Sequence, residues 1–138
     1  MTRLKFPMTE NKVKDLVKKW YDARGAWSYA PIQNGMGEHG IPDRVGCVPV
    51  KITPEMVGKT LGLFVAVESK KPGRRGEKNC GASSAQVNQL REINVAHGVG
   101  VLADGQSDIE VLDALLSSIF AGRNIAGEVF ERRIGNNG

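Results

Sequence analysis

Cysteine is nearly absent. Cys47 and Cys80 are the only two in 138 residues, 33 positions apart and never in a C-x-x-C pair. Neither a disulfide framework nor a cysteine-rich zinc site is expected, and reduced thiols in a cytoplasmic setting are the default. Long apolar runs are missing too. The longest, residues 61–67, has seven residues including Gly62, whereas a membrane span needs about 18 to 20. Residues 1–10 contain no apolar stretch of the kind that opens a secretory signal, so none is expected. Histidine is equally sparse: His39, beside Glu38, has no second histidine nearby, because His97 closes a helix before Gly98. A histidine-metal centre is therefore not expected. Gly35, Gly37 and Gly40 are close together, but no G-x-G-x-x-G links a strand to a helix, which excludes a dinucleotide fingerprint.

What is present is ordinary for one compact domain: 41% apolar residues, 25% charged and 6% aromatic. A disordered chain would have fewer apolar residues and a larger net charge. Nineteen Lys and Arg stand against fifteen Asp and Glu, for a net charge of +4. The distribution says more than the total. Residues 70–78 carry Lys70, Lys71, Arg74, Arg75 and Lys78 against Glu77 alone, and residues 1–24 hold seven bases against three acids. Residues 104–113 compensate with four acids and no base. Basic clusters on a nearly balanced chain suit a polyanion, although solvated lysine-rich faces would look the same.

Thr9 caps an expected helix with Val13, Leu16, Val17 and Trp20 on one stripe, ended by Gly25. Residues 26–32 read as a short strand, residues 44–48 as a second, and residues 49–60 as a connection with a helical turn at Thr53-Pro54-Glu55. Residues 61–67 are apolar on both parities, which predicts a strand buried on both faces. The basic Gly-Pro loop 71–82 follows. Ser83 and Gln86 then offer an S-x-x-Q capping box to a helix that ends at Gly98, residues 99–103 form another strand, and Ser107 with Glu110 suggests a second box. The last helix bears Val111, Leu112, Leu115, Leu116 and Ile119 on one face. Beyond Gly122 the pattern weakens, with residues 128–134 as one further candidate element, so residues 1–122 read as the domain and 123–138 as a C-terminal tail. The order α-β-β-β-α-β-α implies an α/β fold, a mixed sheet flanked by helices.

Several charges sit where a core should be. Glu68 and Lys70 follow the buried strand and point to one face by period 2. Asp43 opens the preceding strand after Pro42. In an antiparallel pair of those two strands it would face Glu68, and two such carboxylates suit a divalent cation with oxygen ligands, Mg²⁺ or Mn²⁺. Glu10 and Gln86 lie on the apolar lines of their helices, each in the first turn. Each also has a plainer role: Glu10 complements a helix dipole, Gln86 closes its capping box, Asp43 is a turn residue, and Glu68 with Lys70 is a strand-end ion pair.

Taken in order, Glu10, the G-I-P-D segment ending at Asp43, V-A-V-E-S-K-K-P-G from Val65, and S-S-A-Q ending at Gln86 resemble the PD-(D/E)xK nuclease superfamily. Among its members the closest likeness is to the virus-type replication-repair nuclease (VRR-NUC) domain family, over residues 8–115. The resemblance implies a PD-(D/E)xK restriction-endonuclease-like core and a metal-dependent DNA endonuclease. Asp43, Glu68 and the carbonyl of Ser69 would bind Mg²⁺ or Mn²⁺. Lys70 would orient or deprotonate the attacking water or offset transition-state charge, Glu10 would position the metal's water shell, and Gln86 would hold Lys70 or the water. Lys71, Arg74, Arg75 and Lys78 would contact DNA. Branched, flapped or four-way junction DNA is the implied substrate. The 49–60 connection and the extended basic loop depart from the family pattern.

A general or restriction-like nuclease, and a non-catalytic DNA-binding or assembly module on the same fold, remain the alternatives. Symmetric junction cleavage needs two sites at fixed separation, which a homodimer supplies. Leu112, Leu115, Leu116, Ile119 and Phe120, with Val129, Phe130 and Ile134 in the tail, offer apolar surface for one, or else merely cover this chain's own sheet.

Overall fold

A computed structural model describes residues 8–32 and 40–135. The chain divides into two compact units, Met1–Val50 and Lys51–Gly138, so the expected break after residue 122 does not coincide with this division. The fold is mixed α/β, with four helices and two two-stranded sheets among the described residues.

The first unit holds helix α1 (Glu10–Asp22) and strands β1 (Trp27–Tyr29) and β2 (Val45–Cys47). Thr9 Oγ1 accepts from the Lys12 backbone N–H at 3.2 Å, the cap that the sequence predicted. Gly25, with φ +65°, lies just past the helix, where a left-handed residue stops it without a Cβ penalty. β1 and β2 pair antiparallel, Ser28 opposite Gly46. A Cβ on Gly46 would lie 2.5 Å from the Trp27 carbonyl oxygen and 2.7 Å from the Tyr21 ring, so glycine there lets α1 and β1 approach the strand closely.

The second unit is a parallel crossover with two further helices: β3 (Val65–Ser69), α2 (Ser84–Val95), β4 (Val99–Ala103), α3 (Gln106–Phe120) and α4 (Ala126–Gly135). Two 3₁₀ turns, Pro54–Met56 and Lys78–Gly81, occupy the connections. β3 and β4 run in register from Val65 opposite Val99 to Ser69 opposite Ala103. Gly100 sits against the Leu90 carbonyl, where a Cβ would come within 2.7 Å, so α2 lies on the sheet face that carries Gly100 and Leu102. The opposite face puts Val99 and Val101 in one buried cluster with Leu115 of α3 and Ala126 of α4.

Four expectations change. The mixed sheet is replaced, among the described residues, by separate antiparallel and parallel pairs, and the described partners of β2 and β3 are β1 and β4. The strand buried on both faces is β4. Residues 61–64 precede β3, and within it Val65 and Val67 remain 44% and 42% exposed, because α3 only partly covers that face. α3 starts at Gln106 with no side-chain cap, so Ser107 closes no box. Asp108 accepts from the Asp104 backbone N–H at 2.8 Å instead. The tail forms α4, whose Ala126, Phe130 and Ile134 are buried in the second unit. Its start is capped by Asn124, whose Oδ1 accepts from Ala126 N–H while Nδ2 donates to the carbonyls of His97 and Gly98.

Candidate functional site

Three of the candidate residues converge in the second unit. Period 2 along β3 puts Ala66, Glu68 and Lys70 on the α2 side of the sheet. Lys70 Nζ lies 3.4 Å from Glu68 Oε1, and the lysine side chain is only 17% exposed. Gln86, in the first turn of α2, donates from Nε2 to the same Glu68 Oε1 at 2.7 Å. The capping box read from the sequence is complete: Ser83 Oγ accepts from the Gln86 backbone N–H, and Gln86 Oε1 accepts from the Ser83 N–H. Gln86 therefore fills its plainer role and a site role at once.

Gln86 and Lys70 both lie against Glu68 Oε1. The Val99 N–H donates to the Phe64 carbonyl and the Lys70 N–H to the Ala103 carbonyl. In a parallel ladder the bonded residues alternate, so even-numbered residues of β3 face β4. The Ser69 carbonyl points to the opposite edge and is not consumed by that ladder. A carboxylate oxygen and a peptide oxygen are the hard donors that Mg²⁺ and Mn²⁺ prefer, so these residues fit such an ion. Among the described residues, no three His, Cys, Asp or Glu side chains form a metal-holding group.

Glu10 and Asp43 belong to the first unit, where they line one cavity of about 190 Å³ with Val13, Val17, Ala30 and Arg44. Glu10 also lies 3.9 Å from Lys14, one helical turn on, with both side chains exposed. Asp43 sits in a bend just before β2 and is exposed. The structure thus groups Glu10 with Asp43 in one unit, and Glu68, Lys70 and Gln86 in the other. Glu38 and His39 lie outside the described residues.

The basic loop is not a free arm. Cys80 is buried at its base, in a turn where Asn79 and Cys80 both take φ 55°. Arg74 makes two 3.0 Å hydrogen bonds to Glu77, which hold the exposed carboxylate below its usual range. Arg75 crosses to the start of α3 and binds both Asp104 and Asp108. Lys71 and Lys78 are exposed and make no ion pair among the described residues.

The sequence reading missed the group that receives Arg75. Asp108, buried to 4% exposure, binds Arg75, the Asp104 backbone and Arg133 of α4. Arg133 also donates to the Leu102 carbonyl and lies 3.2 Å from Asp104. The hydrogen bond from Arg75 is the main influence that lowers the Asp104 pKa. The signal was visible as the acidic run from 104 to 113 opposite a basic loop, but nothing local pairs residues 29 or 33 positions apart. Neither cysteine reads as a nucleophile: both are buried, and burial pushes the Cys47 thiol pKa up.

No protein-family model, curated protein or solved structure matches the chain.

Proposed function

We propose that this chain is a metal-dependent DNA endonuclease with a PD-(D/E)xK-type site, acting on branched, flapped or four-way junction DNA. The reading is carried by the convergence of Glu68, Lys70 and Gln86, three residue types in the order E-x-K then Gln, on one half-buried patch. Asp43, Glu68 and the Ser69 carbonyl are assigned to hold Mg²⁺ or Mn²⁺. When bound, the ion would lower the pKa of a water and offset charge on the phosphate. Lys70, held beside Glu68, would orient that water or neutralise the charge that develops on the phosphate oxygens. Gln86 fixes the Glu68 carboxylate, and Glu10 would orient solvent around the ion. Lys71 and Lys78 are assigned to phosphate contacts, and a homodimer formed through α3 would supply the second site for paired cuts.

A non-catalytic DNA-binding or assembly module is the second reading, and it is favoured by one observation: Asp43 and Glu68 belong to different compact units. A single experiment separates the two. Labelled duplex, flap and four-way junction DNA are incubated with the protein in Mg²⁺, Mn²⁺ or EDTA. The nuclease cuts branched DNA in either metal, stops in EDTA and is inactive as Glu68→Ala. The module binds the same DNA and leaves it intact.

A further inference from the structure

We infer that the backbone N–H of Ser83 is a positioning group for the site: it fixes which end of the Gln86 amide faces Glu68. The inference rests on the nuclease reading for its catalytic consequence, but its geometry stands apart from it. An amide side chain has one accepting end and one donating end. Gln86 Oε1 accepts from the Ser83 N–H at 2.9 Å, and Nε2 donates to Glu68 Oε1 at 2.7 Å. Turning the amide over would set NH₂ against N–H and a carbonyl oxygen against a carboxylate. Both contacts would become repulsive, so the backbone donor at one end and the carboxylate at the other together permit one orientation.

The consequence falls on Glu68. Gln86 is hydrogen-bonded to Oε1 with Lys70 beside it, which sets the plane in which the carboxylate would be offered to a cation. A capping box alone does not need glutamine, since glutamate serves equally well at the third helical position. Glutamate at position 86 could still accept from the Ser83 N–H. Its other oxygen would then meet Glu68 with no proton to donate. The choice of glutamine is explained by Glu68, and its orientation by the Ser83 N–H and Glu68 together.

Substitutions separate the two halves of the box. Ser83→Ala removes Oγ, the helix-capping half, and keeps the N–H. Ser83→Pro removes the N–H as well, and the backbone tolerates it: Ser83 has φ −70° and ψ 160°, and Ala82 before it has φ −82° and ψ 147°, as a residue preceding proline requires. Gln86→Glu keeps the box and removes the donor to Glu68.

Single-turnover cleavage at saturating protein is the main readout, with DNA affinity measured in Ca²⁺. Ser83→Ala should melt at a lower temperature yet cut within about twofold of wild type. Ser83→Pro and Gln86→Glu should each lose about 10- to 100-fold in rate, the range typical of groups that orient a metal ligand. DNA affinity should stay within about twofold throughout, since affinity resides mainly in phosphate contacts. Equal rates for Ser83→Ala and Ser83→Pro, or full activity in Gln86→Glu, would overturn the inference. If Ser83→Pro fails to fold, hydrogen exchange of the Gln86 side-chain NH₂ in wild type decides: protection upholds the orientation, and free exchange removes it. If wild type cuts no DNA in Mg²⁺ or Mn²⁺, the nuclease reading fails by itself. Hydrogen exchange of the Gln86 side-chain NH₂, followed by NMR, then tests the orientation. Protection in wild type and Ser83→Ala that is lost in Ser83→Pro upholds it, and equal exchange in all three removes it.

Discussion

Arg75 binds both carboxylate oxygens of Asp108 at 3.0 Å, 33 residues away in sequence. The most basic segment of the chain is thereby pinned to the start of α3, and part of its charge is neutralised within the fold. Lys71 and Lys78 remain exposed.

The two kinds of base should therefore respond differently to substitution. Arg75→Ala is expected to lower stability by about 1–2 kcal/mol, since charged hydrogen bonds to a buried acid are lost from a half-exposed side chain. Lys78→Ala should leave stability within about 0.5 kcal/mol. It should weaken DNA binding on every sequence and reduce the salt slope of log K by about 1. Urea unfolding together with a salt titration of DNA binding checks both. An unchanged urea midpoint in Arg75→Ala would mean that its ion pairs contribute nothing.

Asp43→Ala and Glu68→Ala should each abolish cleavage while the protein stays folded and still binds DNA. Lys70 and Lys71 should part company. Lys70 lies against Glu68, whereas Lys71 is exposed. Lys70→Ala is expected to slow the chemical step by about 100-fold or more, as loss of a group stabilising transition-state charge does, and Lys71→Ala to act mainly on affinity. Single-turnover rates at saturating protein distinguish the effects. Equal rate losses for the two would argue against the assigned roles.

The local features of this fold were legible in the sequence. The Thr9 cap, the Ser83–Gln86 box and the shared face of Glu68 and Lys70 follow from short-range rules of hydrogen bonding and strand parity, and each is present. Long-range features were not. Periodicity marks residues 61–67 and 99–103 as equally apolar, yet only the second lies between covering helices. Which strand becomes central depends on packing that no window of sequence contains. α4 was legible only in part, as a candidate element over residues 128–134: its apolar positions Ala126, Phe130 and Ile134 recur every four residues, but Gly127 and four charged residues dilute the pattern. Antiparallel pairing of β2 with β3 was inferred from adjacency, and the described ladders run between other partners.

Acid should weaken the second unit through Asp104. The Arg75 hydrogen bond holds its pKa below the ordinary 3.8. A carboxylate whose folded pKa is depressed contributes stability above its unfolded pKa, and loses it as pH falls through the folded value. The loss attributable to Asp104 is therefore confined to the range below about pH 4. Asp104→Asn should be less stable than wild type at neutral pH and should show a shallower decline there. Urea midpoints measured from pH 6 to pH 2 provide the comparison. Parallel curves for the two proteins would show that Asp104 is not a source of the acid dependence.

The proposed dimer calls for point substitutions, because α4 belongs to the core. Phe130 is 2% exposed, and Phe130→Ala should destabilise the second unit by about 3–5 kcal/mol. Deleting residues from Gly122 onward should unfold it outright, so loss of a dimer in that truncation would say nothing about an interface. Phe120 has the opposite character. At 84% exposure it stands at the end of α3, one turn beyond the partly exposed Leu116. Leu116 lines an apolar cavity of about 190 Å³ with Val65, Val99, Leu112 and Leu115. Phe120→Ser removes an exposed ring and should leave stability within about 0.5 kcal/mol. If α3 forms the symmetric contact, wild type should sediment as a dimer at micromolar concentration and Phe120→Ser as a monomer. The folded monomer should still nick a flap but lose paired incision of a four-way junction. A monomeric wild type, or a dimer indifferent to Phe120→Ser, removes this face from the account. A monomer that still makes paired symmetric cuts would show that one site suffices for both strands.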